Sequence, residues 1–186
     1  MLKTQLKKDF DKKDFDAGAS ILKIMLWYFT NVIFIRSGII PFSSVIVFLL
    51  RLFGAKIGKD VRIKPGIYIH YPWKLTVGDH SWLAECRIEN LAEVNIDANV
   101  CVSQKAMLLT GNHNYKLVNF DLITKPIFLE EGAWIGANAT VCPGITVKSH
   151  AVLTVGSVAT RDLEPYSIYQ GNPAVKIKDR VINPNP

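Results

Sequence analysis

From residue 129 the apolar positions of this chain return every six residues. LEEGAW, IGANAT, VCPGIT, VKSHAV and LTVGSV follow one another without a gap. A branched aliphatic residue opens each hexad (Leu129, Ile135, Val141, Val147, Leu153), and a small or β-branched residue holds the fifth place (Ala133, Ala139, Ile145, Ala151, Ser157). The fourth place is Gly132, Asn138, Gly144, His150 and Gly156, rich in residues that tolerate a turn. An earlier block, IGKDVR, IKPGIY and IHYPWK, keeps the rhythm from Ile57, Ile63 and Ile69. It resumes after Leu75 and Thr76 as VGDHSW and LAECRI, led by Val77 and Leu83, blurs over 88–95, and returns from Ile96, Val102 and Leu108. An amphipathic helix needs apolar positions about every 3.6 residues, and a hairpin meander needs longer alternating strands. A strict six fits a short strand closed by a sharp corner. Three such units make one triangular coil, and stacked coils pair each strand with the one above at ~4.8 Å. The pattern predicts a mainly β chain, a parallel β-helix over 56–160 with first and fifth positions pointing inward. Residues 114–125 break the rhythm and read as a loop projecting from one corner. Residues 161–186 form a short extension, in which 174–182 makes a closing strand or helix.

Ahead of the repeat the pattern changes. Residues 24–35 and 39–50 are apolar runs of 12, separated by Arg36, Ser37 and Gly38. Each is short of the ~20 residues that span a bilayer, and Pro41 interrupts a continuous helix. Two short helices are expected within the segment 1–55, either packed on the domain or lying in a membrane interface. Residues 1–16 carry five Lys and four Asp and read as a polar lead-in, with no signal-peptide pattern.

Charge and composition narrow the partners. The net charge is +6, but its placement matters more. Between 17 and 55 the only charges are Lys23, Arg36 and Arg51; Lys56, Lys59, Arg62 and Lys64 follow, opposed only by Asp60. A basic fringe on an apolar segment suits an anionic membrane surface better than nucleic acid. Hydrophobic residues at 49% and charged residues at 20% exclude a disordered chain. Three Cys without a CxxC pair read as reduced thiols of a cytoplasmic protein, packed as small hydrophobes.

Four His are the first candidates for chemistry. His80 and His150 occupy corner positions and His70 a second position, so they read as solvated residues. His113 closes the last hexad before the 114–125 insertion, where a rigid coil meets a loop. An imidazole placed there suits general-base chemistry at neutral pH; anchoring of the loop is the plain alternative. The spacing of the four His lacks the close pair of a three-His zinc site, and no metal is expected. GxSxG, a Walker loop and GxGxxG are all absent.

Acyl transfer is left, and here a resemblance becomes specific. The stretch 133–174 (AWIGANATVCPGITVKSHAVLTVGSVATRDLEPYSIYQGNPA) resembles the acetyl-CoA-binding half of hexapeptide-repeat acetyltransferases. TGNH is similar to that family's catalytic His segment, with one residue more between Gly and His than in the galactoside and maltose branch. PWKLTVGDHSW, GNHNYK, FDLITKPI and YQGNPAVK resemble the branch associated with colanic acid and other exopolysaccharides.

The resemblance implies a left-handed β-helix, a homotrimer with sites between neighbouring coils, and acetyl-CoA as acyl donor. It implies His113 as the general base acting on an acceptor hydroxyl. It implies Trp134 against the pantetheine arm, Ala137 and Val155 as backbone contacts to that arm, and Thr160, Arg161 and Lys178 beside the CoA phosphates. Val175 departs from relatives that carry an Arg there, and Lys176 is the substitute. Glu85, Asn112, Asn114, Tyr115 and Asp121 are implied on the acceptor side. A packing Trp, solvated charges and loop structure are the plain readings of these same residues. The implied reaction is O-acetylation of a sugar hydroxyl on an exopolysaccharide or its lipid-linked precursor. Acetylation of an amino sugar or another small acceptor, and a non-catalytic β-helix scaffold, are the alternatives.

Overall fold

A computed structural model describes residues 3–6 and 15–184. Three parallel ladders run the length of the repeat. The first face stacks Lys56–Ile57, Leu75–Val77, Val94–Ile96, Ile127–Leu129 and Thr146–Val147. The second stacks Arg62–Ile63, Trp82–Leu83, Cys101–Val102, Trp134–Ile135 and Val152–Leu153, and the third Tyr68–Ile69, Arg87–Glu89, Met107–Leu109, Thr140–Val141 and Val158–Ala159. Each strand donates its amides to the coil that follows. Trp82 N reaches Val100 O at 2.8 Å, Cys101 N reaches Ala133 O at 3.0 Å, and Trp134 N reaches Ala151 O at 2.9 Å.

The hexad positions explain this geometry. Leu129, Ile135, Val141, Val147 and Leu153 are buried, as are Ala133, Ala139, Ile145, Ala151 and Ser157. All five fourth-position residues have positive φ, from 55° at Asn138 to 83° at Gly144. One left-handed residue per unit turns the chain, and Gly, Asn or His enters that region at low cost. Asp60, His80, Asn99 and Lys105 turn earlier corners in the same way.

One hexad is misread by a strict six. Leu83 and Ile88 are the inward leads on successive faces, and they lie five residues apart. Cys86 therefore takes the inward place that a fifth position would fill, over a tight turn in which Cys86 N donates to Ala84 O at 2.7 Å. Burial pushes the Cys86 thiol up to about 12, so it stays protonated and inert. The third-to-first corner is the irregular one. It is two residues longer than a hexad in the first two coils, then carries the insertion, and only later contracts to six.

The amino-terminal helices close the open end. α1 runs Ile21–Thr30 behind a Ser20 cap and continues through a π-helical turn to Arg36; α2 runs Ser43–Leu52. Amides donate forward along the stack, so the first coil is left with carbonyls that no preceding coil can satisfy. The helices supply the donors. Trp27 Nε1 donates to Ile69 O and His70 O at 3.1 and 3.0 Å, and Asn31 Nδ2 to Ile69 O at 3.2 Å. Arg51 donates to Ile57 O and Gly58 O at 2.8 Å each, and Ser43 Oγ accepts from Ile63 N at 2.8 Å. Trp27, Ile35, Ile46 and Leu50 then join one continuous core with Ile63, Ile67 and Ile69. At the other end Ser167–Gly171 adds to the second face, and Ala174–Asp179 pairs with it antiparallel, so the closing element is a strand.

Gly156 isolates the cost of a corner. Its φ is +67° and a Cβ there would meet nothing within 4 Å. Gly156→Ala should lower stability by about 1–2 kcal/mol through backbone strain alone, and Gly156→Asn by distinctly less, in chemical denaturation.

Candidate functional site

Two constructions on different corners of the coil hold most of the expected residues. The first is an arm at the third-to-first corner. Gly111–His113 pairs antiparallel with Leu122–Thr124, with His113 opposite Leu122. The arm thus begins three residues before the expected loop, and His113 stands on its first strand rather than on the edge of a coil. Thr110 roots it: its hydroxyl donates to Glu89 O and accepts from Ala92 N, both at 2.9 Å.

The arm fixes the His113 ring. Nδ1 lies 2.8 Å from Phe120 O, and the ring stacks on that of Phe120 at 4.6 Å with 10° between planes. A carbonyl only accepts, so Nδ1 carries the proton and Nε2 holds the lone pair. Phe120 sits at φ +56°, a strained conformation that the Leu117 carbonyl helps hold by accepting from Phe120 N at 3.2 Å. Phe120 was not among the expected residues. Its role comes from folding the arm back, which no local pattern announces.

The remaining arm residues divide. Asn112 Oδ1 accepts from His113 N at 2.8 Å, Asn114 N donates to Asp121 O at 2.8 Å, and Asn114 Oδ1 accepts from Lys116 N at 3.2 Å. These contacts shape the arm. Asp121 is buried within it, while Tyr115 projects into solvent.

The second construction is a groove of about 390 Å³ at the second-to-third corner. Trp134, Ala137 and Val155 line it, together with Ser103, Gln104, Gly136 and Thr154. Trp134 is held upright by donating to Ser103 Oγ at 3.0 Å, and 47% of it remains exposed. Gly136 has no room for a side chain, because a Cβ would lie 2.7 Å from Val155 N. Among the described residues the amides of Ala137 and Val155 donate to no protein group. Two free N–H groups beside an indole face and apolar walls suit an extended chain that carries amide carbonyls. Ser103, Gln104 and Thr154 were not expected here. Their signal is positional: they occupy second or third hexad places, in register with Ala137 and Val155.

Other expected residues lie apart from both. Glu85 is exposed on the groove's corner one coil earlier, its carbonyl accepting from Lys105 N at 2.7 Å, and the structure does not bring it to His113 within one chain. Thr160 and Arg161 are exposed on the turn after Ala159, outside the groove lining. Lys178 is exposed on the terminal strand of the second face, the sheet that also carries Trp134. Lys176 is committed to Asp179 Oδ1 at 2.7 Å, which weakens it as a substitute phosphate contact. Among the described residues no group of His, Cys, Asp and Glu could hold a metal ion.

A second acid–base cluster sits on the third face. Tyr68 Oη lies 2.9 Å from His70 Nδ1, which is 3.2 Å from Glu89 Oε2, and Arg87 also pairs with Glu89. The hydrogen bond from His70, and then Arg87, hold the Glu89 carboxyl below its usual range. Glu89 is thus a fixed anion at neutral pH, not a proton carrier.

No family model matches the chain. It is 36% identical over 170 residues to the colanic acid biosynthesis acetyltransferase WcaF of Escherichia coli K12, covering 88% of this chain and 91% of that one. Among solved structures it is similar to a hexapeptide-repeat acetyltransferase of Vibrio cholerae complexed with acetyl coenzyme A. The TM-score there is 0.81, at 19% identity over 94% of this chain and 97% of that one. A maltose O-acetyltransferase of Clostridium difficile 630 superimposes with a TM-score of 0.78, at 22% identity over 87% and 88% of the two chains. The hexad ladders, the His-bearing arm and the extent of the match to WcaF together place the chain in the hexapeptide-repeat acetyltransferase family, in the branch of the colanic acid biosynthesis enzymes.

Proposed function

We propose that the chain transfers an acetyl group from acetyl-CoA to a sugar hydroxyl of an exopolysaccharide or its lipid-linked precursor. The observation that carries this reading is the tautomer of His113. With Nδ1–H given to Phe120 O, Nε2 carries the lone pair that acts as the base. It takes the proton of the acceptor hydroxyl as that oxygen attacks the thioester carbonyl. The C–O bond forms, the C–S bond breaks, and the imidazolium returns its proton to the leaving thiolate. Stacking on Phe120 holds the ring in place through both proton transfers.

The groove is the place for the pantetheine arm, with the free amides of Ala137 and Val155 as donors and Trp134 as its wall. Exposed Arg161 and Lys178, with Thr160, are the contacts to the CoA phosphates. On the acceptor side, Asn112, Asn114, Tyr115 and Asp121 belong to the arm that carries the base, and Glu85 joins from a second chain. Arm and groove stand on different corners of one coil, so a homotrimer that seats one chain's arm against its neighbour's groove completes each site. The match to WcaF supports a sugar acceptor, and acetyl-CoA as donor supports a cytoplasmic reaction with a lipid-linked acceptor at the inner face of the membrane.

Two measurements test this reading. His113→Ala should lower kcat by ~10²–10⁴ and leave acetyl-CoA affinity nearly unchanged in calorimetry. Full activity would remove the mechanism, and absence of acetyl-CoA binding by the native protein would favour an inert scaffold. The double variant Arg161→Ala with Lys178→Ala should weaken CoA more than dephospho-CoA. Equal weakening would make both residues ordinary surface charges.

A further inference from the structure

The amino-terminal cap has two faces, and the fold uses only one. Trp27, Asn31 and Ile35, with Ile46, Val47 and Leu50 of α2, are turned into the first coil. The opposite face is also apolar. On α1 and its π-helical extension Leu22, Met25, Leu26, Phe29 and Ile33 follow helical spacing and are exposed, from 47% at Ile33 to 69% at Leu22. On α2 Val45, Phe48 and Leu52 do the same. Phe42, in the link between the helices, is 67% exposed. An apolar surface of this extent calls for a partner. Among the described residues no helix is long and apolar enough to cross a membrane.

The charges around this face identify the partner. Lys56, Lys59 and Lys64 lie on the first coil beside the cap, exposed and, among the described residues, in no ion pair. Arg36 leaves the end of the π-helical turn over the Tyr68 ring at 5.2 Å. Arg62 leans over Trp82 at 4.7 Å. Asp60 is the one acid between residues 17 and 78, and it faces His80 at 3.6 Å. Arg51 is excluded from this set because its guanidinium is spent on coil carbonyls. A second copy of this chain placed face to face would bring two cationic borders together. An anionic lipid surface neutralises the border and accepts the apolar residues into its interface.

We propose that the cap docks on the surface of an anionic phospholipid bilayer, with the apolar face of α1 and α2 at the level of the headgroups and Lys56, Lys59 and Lys64 among the phosphates. The helices lie in the interface and the solenoid stands away from it. This docking is independent of the acetyl-transfer reading.

The test is cosedimentation of the full chain with vesicles of phosphatidylcholine and phosphatidylglycerol, against vesicles of phosphatidylcholine alone. Binding should be at least tenfold stronger to the anionic vesicles and should fall as salt screens the border. Met25→Glu with Phe48→Glu should weaken it by tenfold or more, and Lys59→Glu with Lys64→Glu should remove the preference for anionic lipid. Both pairs alter exposed side chains, so the far-ultraviolet circular dichroism should match that of the native chain. Protein that stays in the supernatant at low salt overturns the proposal. So does equal binding to both vesicle types. Self-association lost in the Met25→Glu, Phe48→Glu variant, without vesicle binding, assigns the face to a second copy instead.

Discussion

Most strands of this coil are two or three residues long and cannot stand alone. Each one exists because the coil before it and the coil after it complete its hydrogen bonds. That requirement sets the six-residue repeat over most of the coil, and the longer or tighter corners still return each strand to register. It also creates a problem at the first coil, where carbonyls face no preceding strand. Trp27, Asn31 and Arg51 solve it by reaching from two helices to the carbonyls of Ile57, Gly58, Ile69 and His70. A polar side chain buried in an apolar segment is costly unless it is paired. Here the pairing of its Nδ2 is the reason that the buried Asn31 stands in an otherwise apolar run.

The same rigidity makes a site from loops and corners. The ladders leave little freedom to the second and third hexad positions, so Ser103, Gln104, Gly136, Ala137, Thr154 and Val155 fall in register and form a groove without a dedicated loop. The one long insertion is rooted by Thr110 and closed by pairing His113 against Leu122. The imidazole on this arm is held in one tautomer by a backbone carbonyl, that of Phe120.

The periodicity carried most of this in advance, because first and fifth positions are set by the width of the coil interior. It failed where the constraint is not periodic. LAECRI reads as a hexad, yet Cys86 is inward and Ile88 leads the next face, since one corner is closed by a tighter turn. The arm reads as a loop after His113, yet the strand pairing starts at Gly111, because pairing depends on partners nine to thirteen residues away in sequence. Phe120 gave no signal at all. The basic residues of 17–55 read as one group serving one purpose, whereas Arg51 is structural and Lys23 lies 4.9 Å over the Trp73 ring. Contacts between distant segments decide such cases, and a local pattern does not contain them.

The central claim is that one chain supplies the base and its neighbour the donor groove. Subunit complementation tests this most directly. His113→Ala lacks the base, and Ala137→Trp fills the groove, so each should be inactive alone. Unfolded, mixed and refolded together, they should regain roughly a quarter of native activity, because in a closed ring that share of interfaces pairs an intact arm with an intact groove. No recovery in mixed assemblies, with both variants folded, would contradict the account and place arm and groove of the same chain in one site.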